Sequence, residues 1–151
     1  MLVYVNGISS RPFQLNVQSM AVGILAVYRT DLSPNSVSNK FTAGDTMIAY
    51  VTGAGLTSPA VSSGTPAPST TMNVAQQPER INMMKPESPM QGTGAQLQSF
   101  TLVPGLVGVA QARILIPSYA EPGAGDQLNL VIGWKNVDSN PFRIYVVGKI
   151  D

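Results

Sequence analysis

Apolar and polar residues alternate along this chain in short runs, and the runs follow the two-residue period of strands rather than the 3.6-residue period of helices. In Val107–Ile116 the set Val107, Val109, Gln111, Arg113 and Leu115 opposes Gly108, Ala110, Ala112, Ile114 and Ile116. The second set is wholly small or apolar, as a face turned to a core must be. Thr46–Thr52 (TMIAYVT), Gln96–Leu102, Gln127–Trp134 and Phe142–Val147 also read as strands. Turn signals separate them: Gly53-Ala54-Gly55, Pro104-Gly105, the run EPGAGD at 121–126, and Lys135–Asn140. Residues 20–28 (MAVGILAVY) form a short apolar segment broken by Gly23, followed by a polar connector with turn residues Ser33-Pro34-Asn35. The pattern predicts an all-β sandwich over 41–151, with Ile48, Tyr50, Ile114, Ile116, Leu130, Ile132 and Ile144 in its core. Residues 1–40 are expected to be a separate N-terminal hairpin and connector. Between Leu56 and Pro89 the alternation fades, and 58–71 (SPAVSSGTPAPSTT) reads as an exposed loop whose prolines remove backbone donors.

The N-terminal hairpin is the more informative half. Leu2, Val3, Tyr4 and Val5 are strand formers, Asn6-Gly7 supplies the left-handed angles of a tight turn, and Phe13, Leu15 and Val17 alternate with Gln14 and Asn16. This run, LVYVNGISSRPFQLNV at 2–17, returns as LVIGWKNVDSNPFRIYV at 130–146. Ser10, Pro12, Phe13, Leu15 and Val17 align with Ser139, Pro141, Phe142, Ile144 and Val146, with one extra residue expected in the second turn. A hairpin has been duplicated.

Composition narrows the chemistry. A chain of 151 residues holds one domain with a sizeable core, and it contains no His and no Cys. Imidazole triads, thiol nucleophiles, disulfides and His/Cys metal centres are therefore excluded. No nucleophile–base pair is legible, so an enzyme is not expected and no cofactor or metal is implied. Charged residues make up 11% of the chain and the net charge is +1, with the nine basic residues scattered. A nucleic-acid footprint needs a basic stripe, and the longest apolar runs fall far short of a membrane span. Neither nucleic acid nor membrane insertion is expected. Low charge with 14 Ser and 10 Thr favours an extracellular setting.

Single features carry competing readings. Asp45 and Asp126 resemble a carboxylate pair for calcium, but only Glu121 lies near either, so turn formation is the simpler use. Gly53-Ala54-Gly55 has no following Lys-Ser/Thr and shapes a corner rather than a phosphate cradle. Trp134, Tyr4, Tyr119 and Tyr145 are either packing residues or a flat platform for sugars. Met72, Met83, Met84 and Met90 fit gap filling under a loop or at a subunit contact. Ser62, Ser63, Thr65, Ser69, Thr70 and Thr71, interleaved with prolines, compose either a plain solvated loop or an O-glycosylated segment. No Asn-x-Ser/Thr sequon occurs.

Three stretches, AGDTMIAYVTGAGLTSPAVSSGTPAP at 43–68, LVPGLVGVAQARILIPSYAEPGAGD at 102–126 and NLVIGWKNVDSNPFRIYV at 129–146, resemble the extracellular Ig-like domains of acidobacteria and related bacteria. That group is often called the Solibacter uncharacterised C-terminal domain family. The run 2–27 looks like the end of a preceding Ig-like unit, while 72–97 departs from the family pattern. The resemblance implies secretion, an Ig-like sandwich and an architectural role, with no catalytic residues. The leading expectation is a bacterial surface fibre of identical subunits, joined when the N-terminal hairpin of one copy, through Leu2, Val3, Val5, Phe13, Leu15 and Val17, adds to an apolar groove of the next beside Val109 or Ile144. The competing structural reading lets the hairpin fold back onto 41–146 of its own chain, and the alternative function is an Ig-like adhesion module of a larger protein, binding a glycan or protein through the 56–71 loop and the aromatics.

Overall fold

In the computed structural model, which describes residues 2–14, 21–70, 73–74, 76–118 and 126–147, the alternating runs become antiparallel strands and no described residue is helical. In chain order the strands are β1 Tyr4–Val5, β2 Ile8–Ser9, β3 Gly23–Arg29, β4 Thr46–Thr52, β5 Thr57–Ser58, β6 Asn73–Val74, β7 Arg80–Lys85, β8 Ser88–Gly94, β9 Gln96–Leu102, β10 Val109–Leu115, β11 Gln127–Trp134, β12 Val137–Asp138 and β13 Phe142–Tyr145. Among the described residues, β1 and β2 pair only with each other. Sheet I runs β3-β4-β10-β9-β6-β5, and sheet II runs β12-β11-β7-β8 with β13 also on β11. No described helix is long and apolar enough to cross a membrane.

One core lies between the sheets. β4 turns Met47, Ala49 and Val51 inward, β10 turns Ala110, Ala112 and Ile114, and β11 turns Leu128, Leu130, Ile132 and Trp134, all closely buried. Two bulges re-phase the alternation. The first, in β3 opposite Tyr50 and Val51, brings Ile24 and Val27, three residues apart, to the same inner face. The second, between Arg113 and Ile114 of the β10–β9 pairing, does the same for Leu97 and Phe100. Of the expected core, Ile48, Ile114, Ile116, Leu130, Ile132 and Ile144 are buried, while Tyr50 is half-buried because it shares the outer face of β4 with Ile48.

Sheet I takes in more of the chain than the alternation indicated. β3, within the stretch assigned to the N-terminal connector, pairs with β4 along its length. The connector is tied down too: Asn35 accepts from the Tyr145 amide at 2.7 Å and donates to the Tyr145 carbonyl at 2.9 Å. The boundary expected after residue 40 therefore falls inside the sandwich, and only 2–14 stands apart among the described residues before it. The faded region also holds a β-hairpin, β7 and β8, with Ile81 and Met83 in the core. At the corner after β4, Gly53 has φ +67°, and a Cβ there would collide with the Ala21 carbonyl oxygen. Only glycine fits that approach.

Candidate assembly surface

The duplicated run builds the same object twice. Asn6 and Gly7, at φ 50° and 79°, form the two-residue turn whose twist matches antiparallel strands, with Tyr4 facing Ser9 and Val5 facing Ile8. In the second copy Gly133 faces Asp138 and Trp134 faces Val137 across Lys135-Asn136. The Ser10 amide donates to the Val3 carbonyl at 2.8 Å, as Ser139 does to Ile132 at 2.9 Å. The Val3 amide donates to Ser10 Oγ at 3.1 Å, and the Ile132 amide to Ser139 Oγ at 3.0 Å. Each serine hydroxyl then donates to the next carbonyl, Arg11 at 3.0 Å or Asn140 at 2.9 Å. The two stretches stay in step from Leu2 and Val131 to Phe13 and Phe142, so the extra residue expected in the second turn is not there.

Their surroundings differ completely. In the second copy Val131 is 6% exposed, Ile132 0% and Trp134 2%; their counterparts Leu2, Val3 and Val5 are 46%, 47% and 63% exposed. Phe13 is exposed at 64%, while its counterpart Phe142 packs against the core. Leu15 and Val17 lie outside the described residues; their counterparts Ile144 and Val146 are buried. Several contacts seat the second hairpin, an Arg80–Asp138 ion pair at 2.6 Å among them. β11 pairs with β7; Trp134 packs on Phe100 with ring centroids 5.8 Å apart and donates to the Gln76 carbonyl at 3.1 Å; and Asn140 Oδ1 accepts from the Ile24 amide at 2.7 Å, closing the free edge of β3. Arg11 stands where Asn140 does, so the first hairpin lacks that clasp.

An apolar groove of about 430 Å³ opens on the outer face of sheet I. It is lined by Leu25, Tyr28, Leu32, Tyr50, Leu106 and Val109. Tyr28 and Tyr50 meet edge-to-face at 5.8 Å, forming its floor, and Leu25, Leu32 and Leu106 are exposed around it. Val109, one of the two residues expected beside an acceptor groove, lines this one. Ile144, the other, points into the sandwich core.

Other sequence candidates separate. Ser62, Ser63, Thr65, Ser69 and Thr70 are exposed, and Thr71 lies outside the described residues. Their loop is pinned at buried Ala67, whose amide donates to the Leu106 carbonyl and whose carbonyl accepts from the Gly105 amide, both at 2.9 Å. Trp134 is enclosed, Tyr145 is half-buried, Tyr4 is exposed and Tyr119 lies outside the described residues, so the first three build no common platform. Met83 is a core residue of β7, Met84 is half-buried beside it, Met72 lies outside the described residues, and the side chain of Met90 is not described. Asp126 pairs with Lys40 at 2.5 Å. Asp45 pairs with Arg29 at 3.0 Å and accepts from the Thr42 amide at 2.8 Å. Partial burial pushes the Asp45 carboxyl up, but the Thr42 hydrogen bonds and the Arg29 charge outweigh it and hold the group below the ordinary carboxylate value. The same Arg29 lies over the Phe41 ring at 5.6 Å and donates to the Lys40 carbonyl at 2.6 Å, so both carboxylates act as ties of the 29–45 connection.

No protein-family model, curated protein or solved structure matches this chain.

Proposed function

We propose that this protein is an extracellular structural subunit that self-assembles into a bacterial surface fibre, each copy donating its N-terminal hairpin to the next. One observation carries the reading: a hairpin whose twin is a fully seated part of the sandwich stands with its apolar face in water. Leu2, Val3, Tyr4, Val5, Ile8 and Phe13 expose large apolar surfaces within a dozen residues, more than a lone subunit has reason to show. Covering each of three such side chains is worth about 1.5–3 kcal/mol before ordering costs, enough for a lasting contact. An arm that leaves one copy and docks on another makes a heterologous contact, which repeats without closing. The low charge, the Ser/Thr-rich surface and the resemblance to bacterial Ig-like repeats support an exposed, extracellular setting, and the accessible hydroxyls of 62–70 would carry O-linked glycans there.

The test is electron microscopy of purified protein alongside a Leu2→Asp/Val5→Asp variant, with circular dichroism and intact mass on both. Fibres in the first sample and folded, dispersed subunits in the second are expected; mass above that of the chain reports the glycans. Normal fibres from the variant would sink the proposal. A second reading, a binding module of a longer secreted protein, is favoured by one feature: a cleft of about 450 Å³ between the 56–65 loop and Leu106–Gly108. Under that reading the purified protein stays monomeric and the cleft takes the ligand.

A further inference from the structure

We propose that the groove on the outer face of β3, β4 and β10 is the seat for residues 2–13 of a second copy. This rests on the arm-donation reading and fixes where the donated arm goes. Leu32 gives the strongest indication. The turn Thr30-Asp31-Leu32-Ser33 is closed by Leu32 N donating to Arg29 O at 3.0 Å, by Arg29 N donating to Ser33 O at 2.9 Å, and by Asp31 Oδ1 accepting from Ser33 N and Oγ at 2.9 and 2.6 Å. Leu32 sits in it at φ +63°, a left-handed angle at which Asn or Gly rests more easily, and its side chain is 62% exposed. A leucine so placed serves neither the backbone nor the core of its own subunit. What it does is extend the apolar wall of the groove.

The arm and the groove also match in chemistry. Residues 2–10 carry no charged side chain, Arg11 is the one charge up to residue 14, and none of the groove's lining residues is charged. The seated twin shows that this hairpin's apolar positions are of the kind that is covered when a surface is offered. The edge next to the groove is closed, by the Asn140 clasp on Ile24 and by the bridge between Tyr28 and Pro34. Docking is therefore by side chains onto the sheet face, not by extension of the β3 ladder. β8, Ser88–Gly94, is an outer strand of sheet II and is the rival acceptor.

The absence of cysteine makes the test clean. Val5→Cys protein is mixed under mild oxidation with Leu25→Cys, Leu32→Cys and Leu106→Cys protein in turn, and with Thr93→Cys on β8 as the comparison. At least one groove variant is expected to give about tenfold more interchain disulfide than Thr93→Cys, because docking raises the local thiol concentration. Leu32→Asn in the otherwise native chain should leave the fold intact and raise the concentration needed for assembly about tenfold. Crosslinking to Thr93→Cys in place of all three groove positions would overturn the groove and leave arm donation standing. A disulfide formed within one dilute chain carrying both Val5→Cys and Leu32→Cys, without interchain product, would show the arm folding back and overturn the proposal. Failure of the native chain to assemble at all would instead remove the functional reading beneath it.

Discussion

The hairpin around Asn6-Gly7 and the hairpin around Lys135-Asn136 share strand register, serine hydrogen bonds and the following Pro-Phe, yet one is held in the sandwich and the other is not. Backbone pattern therefore does not decide whether such a hairpin belongs to a core. The partner strand β7 and the side chains that clasp it do. Trp134 reaches Phe100 and the Gln76 carbonyl, and Asn140 ties to Ile24, whereas Val5 and Arg11 stand at the corresponding places in the first copy. The duplicate kept the apolar surface and lacks the attachments to this sandwich, and a partner copy supplies the cover under the reading proposed here.

That contrast is breakable by substitution at matched positions. Trp134→Ala should cost about 3–5 kcal/mol of folding stability, as expected when a buried aromatic leaves a cavity. Val5→Ala, its match, should stay within about 0.5 kcal/mol in dilute solution. Urea unfolding reads both, and equal losses would erase the distinction between the hairpins. Ser139→Ala, which leaves the buried Ile132 amide without its acceptor hydroxyl, should cost about 1–3 kcal/mol. Ser10→Ala makes the same deletion in water and should be nearly silent, because solvent replaces the lost bond.

Smaller effects sharpen the picture. Leu32→Asn relieves a left-handed leucine and should raise the thermal midpoint of the dilute subunit, by a gain of about 1 kcal/mol, while weakening assembly. A substitution that stabilises the fold and harms association separates the two roles in one residue. Acid gives the gentlest probe. The Asp45 carboxyl titrates below its ordinary value, so its contribution is complete above the unfolded-state value and is lost as pH falls through the lower, folded-state one. Unfolding followed from pH 6 downward should show stability declining below about pH 4, with a shallower decline in Asp45→Asn. Residues 2–14 contain no Asp or Glu, so the first hairpin should show no acid response of its own.

Much of the sandwich was legible because its central strands are apolar-rich runs bounded by turn residues: β4, β9 and β11 fall where the pattern put them, and the small face of β10 is the buried one. β3 was obscured by its bulge, which places Ile24 and Val27 three residues apart and breaks the two-residue period. β7 was missed because its inward pair is Ile81 and Met83, followed by half-buried Met84, and an unbranched thioether gives little strand signal. The duplication of the hairpin was readable from Ser-x-Pro-Phe alone. That the two copies differ in burial was not, because it depends on Phe100, Gln76 and Ile24, which are distant in sequence. The groove was equally hidden: Leu32 is lost within a polar connector until its angle and exposure are known.

Amide hydrogen exchange at matched positions, compared between dilute subunits and concentrated, assembled protein, separates a seated hairpin from a donated one. The Ile132 and Ser139 amides should be protected in both samples, while the Val3 and Ser10 amides should exchange rapidly in the dilute subunit and become protected on assembly. Strong protection of Val3 and Ser10 in the dilute subunit, or rapid exchange in both samples, would contradict donation of the first hairpin.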